Sequence, residues 1–177
     1  MLPLGHLSAG YFLSQTPKIK GLNLPVKEVV FITVCGLILD FDFFFLPLFG
    51  YSGASHHSFP IHTVMGIAMI FILLILVTRI KLSKLAYALG LMALLSHLIL
   101  DDLSYWLYRL GIGKPVPAQI NWLYPANINE HPNLITTHEA LRGYLIETPT
   151  HFILEIILVL FTLGYYVYQR RIKNEKS

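Results

Sequence analysis

The chain has 177 residues, of which 55% are hydrophobic and 13% are charged, with a formal net charge of +3. Ordinary soluble domains carry roughly 25% charged residues, so this composition, with a mean hydropathy of +0.61, is typical of an integral membrane protein. The small and dispersed net charge argues against nucleic acid as a partner. The one cysteine, Cys35, excludes an intramolecular disulfide.

Four apolar stretches are candidates for crossing a bilayer, which takes about 20 residues. They are residues 29–49, 62–80, 85–110 and 150–168. Residues 1–16 are apolar but too short for a full crossing, and they predict a short N-terminal helix. We therefore predict an all-α fold, a polytopic membrane helical bundle with four full transmembrane helices plus this short helix. Residues 1–177 would form one domain.

Lysine and arginine residues are unevenly divided between the connections, which sets the expected orientation. Ten of them fall in the connection 17–28, the turn 79–84 and the tail 169–177. The other three lie at the end of the third span or in the loop 111–149. We expect the basic group to be cytoplasmic, including the C-terminus. The loops 50–62 and 111–149 then face outward.

The most informative stretch is residues 94–104, where a histidine and two aspartates interrupt an apolar run. His97 and Asp101 are four residues apart, so they share one face of a helix. A carboxylate within a membrane span is costly unless it faces a partner, a cavity or a bound cation. Asp102 points about 100° away from Asp101 on a regular helix. We expect Asp102 to lie beside the site rather than to act as a ligand.

The same conflict between polar residues and apolar surroundings recurs in three other segments. They contain His6, the pair Asp40 and Asp42, and the group His56, His57 and His62. With the expected orientation, the residues of the last two segments fall near the outward side of the membrane, and His6 joins them if residues 2–16 run inward from an outside N-terminus. Imidazole and carboxylate groups gathered from distant segments are what a divalent metal site needs. Asp40 and Asp42 are about 200° apart on a regular helix, so both face one site only if the helix ends or distorts there.

Taken in order, these residues resemble the pattern of the membrane-bound metal-dependent hydrolases, a family also described as LexA-binding, inner-membrane-associated hydrolases. The matching elements are His6, Asp40 with Asp42, His57 with His62, Ser96-His97 with Asp101, and the aromatic-proline element Asn121–Pro125. The resemblance covers residues 1–125. This chain departs from the family in having Leu39 before the first aspartate and Phe43 after the second. It also has Ser58-Phe59 where the family commonly has Arg-Gly, which removes an obvious anion-binding arginine.

The resemblance implies a hydrolase in the bacterial inner membrane. One or two divalent cations, expected to be zinc because of the share of imidazole, would be held by His6, Asp40, His57, His62, His97 and Asp101. The metal would lower the pKa of bound water to about 7, and Asp42 or Asp102 would act as the general base. A site at membrane depth predicts membrane lipids as partners and a lipid or lipid-linked ester or phosphoester as substrate. Nothing in these residues supports LexA binding.

Two alternatives remain open. In the first, a metal-binding or transport protein uses the same ligands as an ion pathway, and they would lie at several depths. In the second, a structural or regulatory membrane protein uses the polar side chains only to hold helices together. His151 and Glu155 could support the site or bind substrate, but we expect them to be ordinary packing residues.

Overall fold

The computed structural model describes residues 3–19, 21–45, 57, 59–78, 81–112, 118, 120–126 and 149–175. Within these ranges the fold is all-α, as predicted, and contains no strand. The helices are α1 (Pro3–Ile19), α2 (Val26–Leu37), α3 (Asp42–Phe45), α4 (Val64–Thr78), α5 (Lys84–Asp101), α6 (Leu103–Arg109) and α7 (Pro149–Glu175). Two short 3-10 segments, Ile38–Phe41 and Pro60–His62, precede α3 and α4. His56 and most of the expected outward loop 111–149 lie outside the described residues.

The expected four continuous transmembrane helices are not all present as such. Within the described ranges, two helical stretches are long and apolar enough to cross a membrane, Lys84–Asp101 and Phe152–Arg171. α4 is apolar but has only 15 residues. The first expected span is divided, because α2 ends at Leu37 and the chain continues in 3-10 geometry.

The ends of two predicted spans also differ from the structure. The span predicted at 85–110 breaks at Asp102, whose φ of −90° and ψ of 15° separate α5 from α6. Apolar composition continues across this break, so counting hydrophobic residues cannot detect it. α7 continues to Glu175, well past the predicted end at residue 168, because the basic tail consists largely of good helix formers.

Two pairs of contacts show that α2 and α5 run parallel. At the start of both helices, Glu28 of α2 accepts a hydrogen bond from the backbone N–H of Ser83, the residue that caps α5. At the other end, Asp40 lies just after α2 and its Oδ1 is 3.4 Å from Nε2 of His97, near the end of α5. The chain between these helices must therefore travel back along the bundle.

The helices α1 and α7 also run parallel to each other. Gly5, in the first turn of α1, donates its backbone N–H to Glu155, near the start of α7. Further along both helices, the ring of Phe12 packs edge to face on Phe161, with centroids 5.6 Å apart. This pair of helices extends the bundle around α2 and α5.

The alternation of helix directions brings one end of several segments together. His6 lies in the first turns of α1, Asp40 follows α2, His62 immediately precedes the α4 region, and Asp101 ends α5. His6 and Asp101 are in direct contact, so α1 starts where α5 finishes. These four candidate ligands therefore collect at one end of the bundle.

Small residues allow the central helices to approach closely, as is common between helices in membranes. A Cβ atom on Gly36 would lie only 2.6 Å from the carbonyl oxygen of His6, and one on Gly90 would lie 2.6 Å from Cε1 of Phe31. Neither position accepts a larger side chain without a shift of its neighbours. The apolar core around these contacts includes Ile32, Cys35, Leu39, Leu94 and Leu98.

Candidate metal centre

The structure brings all six predicted metal ligands together at this end of the bundle. They form three groups, His6 with His97 and Asp101, Asp40 with His62 and His97, and His57 with His62 and Asp101. Within each group, one ligand atom per residue lies within 4.8 Å of the others. Each group shares a residue with each of the other two, so the six side chains form one continuous cluster. His57 is partly buried and the other five are buried.

The spacing of ligand atoms in the cluster suits a metal ion. Nε2 of His6 lies 2.9 Å and Nε2 of His57 lies 3.3 Å from Oδ1 of Asp101. Nε2 of His97 lies 3.2 Å from Oδ2 of Asp101 and 3.4 Å from Oδ1 of Asp40. Two ligands bound tetrahedrally to zinc at about 2.0–2.1 Å are roughly 3.3 Å apart. The donor set fits a divalent cation in its chemistry, and these distances, which are also those of His–Asp hydrogen bonds and ion pairs, are compatible with one.

His97 is oriented from behind by the backbone of α2. Its Nδ1 is 2.8 Å from the carbonyl oxygen of Gly36, which can only accept, so Nδ1 donates the hydrogen bond. In the neutral ring, this leaves the lone pair on Nε2, the atom nearest Asp40 and Asp101. Nε2 is buried and makes no hydrogen bond within the described part of the chain. A carbonyl that fixes the ring from its far side is the usual arrangement for a metal-ligating histidine.

The carboxylate of Asp101 lies between three imidazoles. The rings of His6 and His97 stack with centroids 3.6 Å apart and an interplanar angle of 13°. The stacked pair contacts both oxygens of Asp101, His6 at Oδ1 and His97 at Oδ2, and His57 approaches Oδ1 as well. Asp101 is one of three residues shared between two of the groups, together with His62 and His97.

The distortion that Asp40 and Asp42 would need in order to face one site is present. The 3-10 segment Ile38–Phe41 replaces α-helical geometry at this point. Asp40 then contacts His97, and Oδ2 of Asp42 lies 3.2 Å from Nδ1 of His62. The Asp42 side chain retains 11% exposure and its two carboxylate oxygens make no hydrogen bond to the described residues. Asp42 therefore lies at the edge of the cluster, outside the six ligands.

Asp102 belongs to a different environment from its neighbour Asp101. Its Oδ2 accepts a hydrogen bond of 2.6 Å from Nε1 of Trp122, and its Oδ1 accepts one of 3.3 Å from the backbone N–H of Ile120. Trp122 in turn packs edge to face on Trp106, with centroids 5.9 Å apart. Asp102 thus holds the aromatic-proline element against the bundle, and the structure does not place it with the six ligands.

Two contacts near the cluster were not foreseen from the sequence. The Gly36 carbonyl that orients His97 carries no sequence signal, because any residue has a carbonyl. Glu155, expected to be a packing residue, is 4% exposed and accepts the backbone N–H of Gly5 at 3.1 Å, one residue before His6. The sequence does contain a signal for this contact of Glu155, because a carboxylate within an apolar span is costly unless a hydrogen-bond donor faces it. His56, the third histidine of the group with His57 and His62, lies outside the described residues.

A family model matches residues 1–173, nearly the whole chain, and its description is YdjM inner membrane protein. The chain belongs to the YdjM inner membrane protein family. No curated protein and no solved structure matches it. The YdjM family establishes an inner membrane protein, in agreement with the composition and the two candidate spans. Its description names neither hydrolysis nor LexA binding, so those parts of the resemblance stay predictions.

For a YdjM family protein, the location in a membrane raises the cost of burying the carboxylates of the cluster. Water is scarce near the hydrocarbon region, so carboxylates there need a counter-charge or hydrogen-bond donors. Asp40 and Asp101 are 3% and 2% exposed, and histidine nitrogens from other segments surround them. The burial of these carboxylates therefore depends on the surrounding histidine nitrogens or on a cation bound with them.

Proposed function

We propose that this protein is a membrane-embedded, metal-dependent hydrolase. The observation that carries the proposal is the convergence of six histidine and aspartate side chains from four separate segments on one cluster, in which only His57 is partly exposed. A divalent cation supplies the charge that offsets the burial of the carboxylates. The resemblance to membrane-bound metal-dependent hydrolases supports hydrolysis as the reaction.

The six ligands would hold one or two divalent cations, with zinc favoured by the number of imidazoles. Asp101, which has a histidine nitrogen within 3.2 Å of each of its oxygens, would contribute its carboxylate to holding the cation. When bound, such a cation polarises water and makes it a nucleophile near neutral pH. Asp42, at the edge of the cluster and in contact with His62, is the carboxylate that we assign as general base.

The helix directions support four crossings of the membrane rather than two. Because α2 and α5 run parallel, the intervening α4 has to carry the chain back across. Its 15 residues span about 22 Å, and a short apolar helix is accommodated in a bilayer core of about 30 Å by local thinning. The distribution of lysine and arginine then favours an outward-facing cluster and a cytoplasmic C-terminus.

The position of the cluster favours a substrate that already resides in the membrane. The cluster lies where apolar helices end, and large apolar side chains are exposed along α4 and α7. A lipid or lipid-linked ester or phosphoester reaches such a site by lateral diffusion, with its scissile bond near the membrane surface. The segment Ser58-Phe59 offers no arginine for a phosphate group, so carboxylic esters belong in the substrate screen alongside phosphoesters.

The first test is the metal content of the detergent-purified protein by inductively coupled plasma mass spectrometry. We expect one or two equivalents of zinc or manganese in the parent and none in the double variant His97→Ala, Asp101→Ala. Asp102→Ala is the matched control, because it removes the neighbouring carboxylate outside the cluster and should keep the metal. A folded parent that is metal-free and takes up no metal on reconstitution would favour the role in which polar residues only tie helices together.

The second test separates metal binding from hydrolysis. Asp42→Asn should keep the metal while hydrolysis of a lipid ester or phosphoester falls by about 10²–10⁴-fold, the usual contribution of a general base. Equal activity in Asp42→Asn and the parent would show that another group accepts the proton. A metal-loaded parent that hydrolyses no substrate, but moves the metal ion across proteoliposome membranes, would establish the transport alternative instead.

A further inference from the structure

An apolar groove runs along α4 beside the segment that carries His62. Its volume is about 530 Å³, within the roughly 300–1,000 Å³ typical of ligand pockets. The lining includes Pro60, Ile61, Gly66, Met69, Leu73 and Leu76. All of these are apolar or lack a polar side chain, so the groove offers no side-chain group to a polar ligand.

We propose that this groove binds one fatty acyl chain of a membrane lipid and so places the head of that lipid at the cluster. The part concerning the cluster rests on the proposed function and names the lipid class of its substrate. Met69 and Leu73, on the groove wall, are 63% and 58% exposed. In an inner membrane protein, the medium that meets such an apolar face is the hydrocarbon of lipids.

The length of the groove matches one acyl chain. Gly66 and Leu76 both contribute to its lining and are ten residues apart on a continuous helix, which corresponds to about 15 Å. Half of a bilayer core of about 30 Å is the same length. The groove therefore accommodates the chain of a lipid in one leaflet, running along α4 from the end nearest His62.

The short turn Pro60–His62 contributes both to the groove and to the cluster. Pro60 and Ile61 line the groove, whereas the next residue, His62, is fully buried and lies 3.2 Å from Asp42. A chain in the groove therefore ends beside a residue of the cluster. This continuity distinguishes the groove from the other exposed apolar positions of α4.

The turn is held firmly against α4. The hydroxyl of Thr63 donates a hydrogen bond of 2.6 Å to the carbonyl of Pro60 and accepts one of 3.0 Å from the backbone N–H of Gly66. A Cβ atom on Gly66 would clash with the same Pro60 carbonyl oxygen, so the close approach requires glycine. The end of the groove next to the centre is consequently a rigid surface.

An acyl chain would prefer the groove to the bilayer because of the shape of the groove rather than its hydrophobicity. Lipid tails are as apolar as the groove, so moving a chain from the bilayer into it removes no apolar surface from water. Many small van der Waals contacts, each worth about 0.1–0.2 kcal/mol, provide the preference. A rigid wall preserves these contacts, and their modest sum allows one lipid to exchange for another.

The test uses the full chain in phosphatidylglycerol and phosphatidylethanolamine vesicles with a phospholipid that carries a photoactivatable diazirine on one acyl chain. Leu73→Trp fills the groove, and Ile75→Trp is the matched control, because Ile75 is also exposed on α4 but is not part of the lining. Labelled peptides are quantified by mass spectrometry. We expect labelling of the groove wall to fall about tenfold in Leu73→Trp, from the loss of roughly ten contacts, and to stay unchanged in Ile75→Trp.

Uniform labelling of all exposed positions of α4, equal in the three proteins, would overturn the proposal, because it describes surrounding lipid only. If Leu73→Trp does not fold, Met69→Trp blocks the same wall and replaces it. Metal content measured on the same samples separates the two proposals. Groove labelling in a protein that binds no metal contradicts the hydrolase and leaves the lipid site, whereas metal with uniform labelling contradicts the lipid site alone.

Discussion

The two ends of the α2–α5 pair both bury acidic groups, but in different ways. At one end, Glu28 is 4% exposed and each of its oxygens accepts a hydrogen bond from Ser83. The backbone N–H of Ser83 is 2.7 Å from Oε1, and its hydroxyl is 2.8 Å from Oε2. At the other end, Nε2 of His97 and both oxygens of Asp42 make no hydrogen bond within the described residues.

The difference separates a structural junction from a candidate binding site. Protein donors satisfy the carboxylate of Glu28, so its burial needs nothing beyond the chain itself. In the cluster, imidazole nitrogens and carboxylate oxygens lie 2.9–3.4 Å apart. The shortest of these contacts is the hydrogen bond between His6 and Asp101, and the same range accommodates two ligands of one metal ion. Buried polar atoms without hydrogen bonds call for an explanation, and the proposed cation would provide one.

The largest predicted effect is the difference in zinc affinity between substitutions at the neighbouring residues Asp101 and Asp102. Asp101→Asn should lower the affinity for zinc by more than about a hundredfold, since even partners one contact removed from a metal contribute about 10–100-fold. Asp102→Asn, a substitution of the same size at the next residue, should leave the affinity unchanged. Competition against a fluorescent zinc chelator measures both. Equal affinities in the two variants would contradict the assignment of Asp101 to the cluster.

Removal of the metal provides the second prediction. At a free zinc concentration one hundred times Kd, binding to the folded protein adds about 2.7 kcal/mol to the free energy of unfolding. A chelator should therefore lower the thermal midpoint of the parent in detergent. The same chelator should leave the midpoint of Asp101→Asn where it is, and a similar drop in that variant would show that the stabilising ion binds elsewhere.

The third prediction concerns the close contact between Gly36 of α2 and His6 of α1, next to the cluster. Gly36→Ala places a Cβ atom against the carbonyl oxygen of His6, which should reduce the free energy of unfolding by about 1–3 kcal/mol and weaken metal binding. Gly164→Ala is the control, since a Cβ there meets nothing within 4 Å. It should be neutral or stabilise α7 by up to about 1 kcal/mol. Denaturant titration of both variants shows whether a loss of stability in Gly36→Ala comes from the steric contact or from replacing a helical glycine in general.

The smallest effect is expected at the other end of the pair. Glu28→Ala removes both acceptors of Ser83 and should cost about 1–2 kcal/mol of unfolding free energy, because water can replace the lost acceptor at exposed Ser83. Metal content should not change. Glu28→Gln keeps one acceptor oxygen and should recover part of the stability. A loss of metal in Glu28→Ala without a loss of folded protein would mean that the two ends are coupled.

Much of the cluster was predictable because its physical signal is local. His97 and Asp101 share a helix face by their spacing, and their apolar neighbours make isolated charges costly. The same argument identifies His6 and Asp40 without any knowledge of the fold. The all-α class follows in the same way from apolar stretches of membrane length, and the family match agrees with the membrane character.

Other features depend on segments far away in the chain. Trp122 and Ile120 engage Asp102, and no spacing rule links them to it. The breaks within the first and third predicted spans are also not visible in the sequence. A count of hydrophobic residues does not register a change of backbone geometry. Glu155 meets Gly5 across 150 residues of sequence.

The sequence by itself therefore determined which residues cannot lie alone in a membrane, because that cost is set by each residue and its immediate neighbours. Only the tertiary structure decided which of them meet: that Asp101 joins three histidines, that Asp42 lies at the edge beside His62, and that a backbone carbonyl orients His97. Those outcomes depend on the directions and close approach of helices distant in sequence. Such packing is a property of the whole bundle rather than of any one segment.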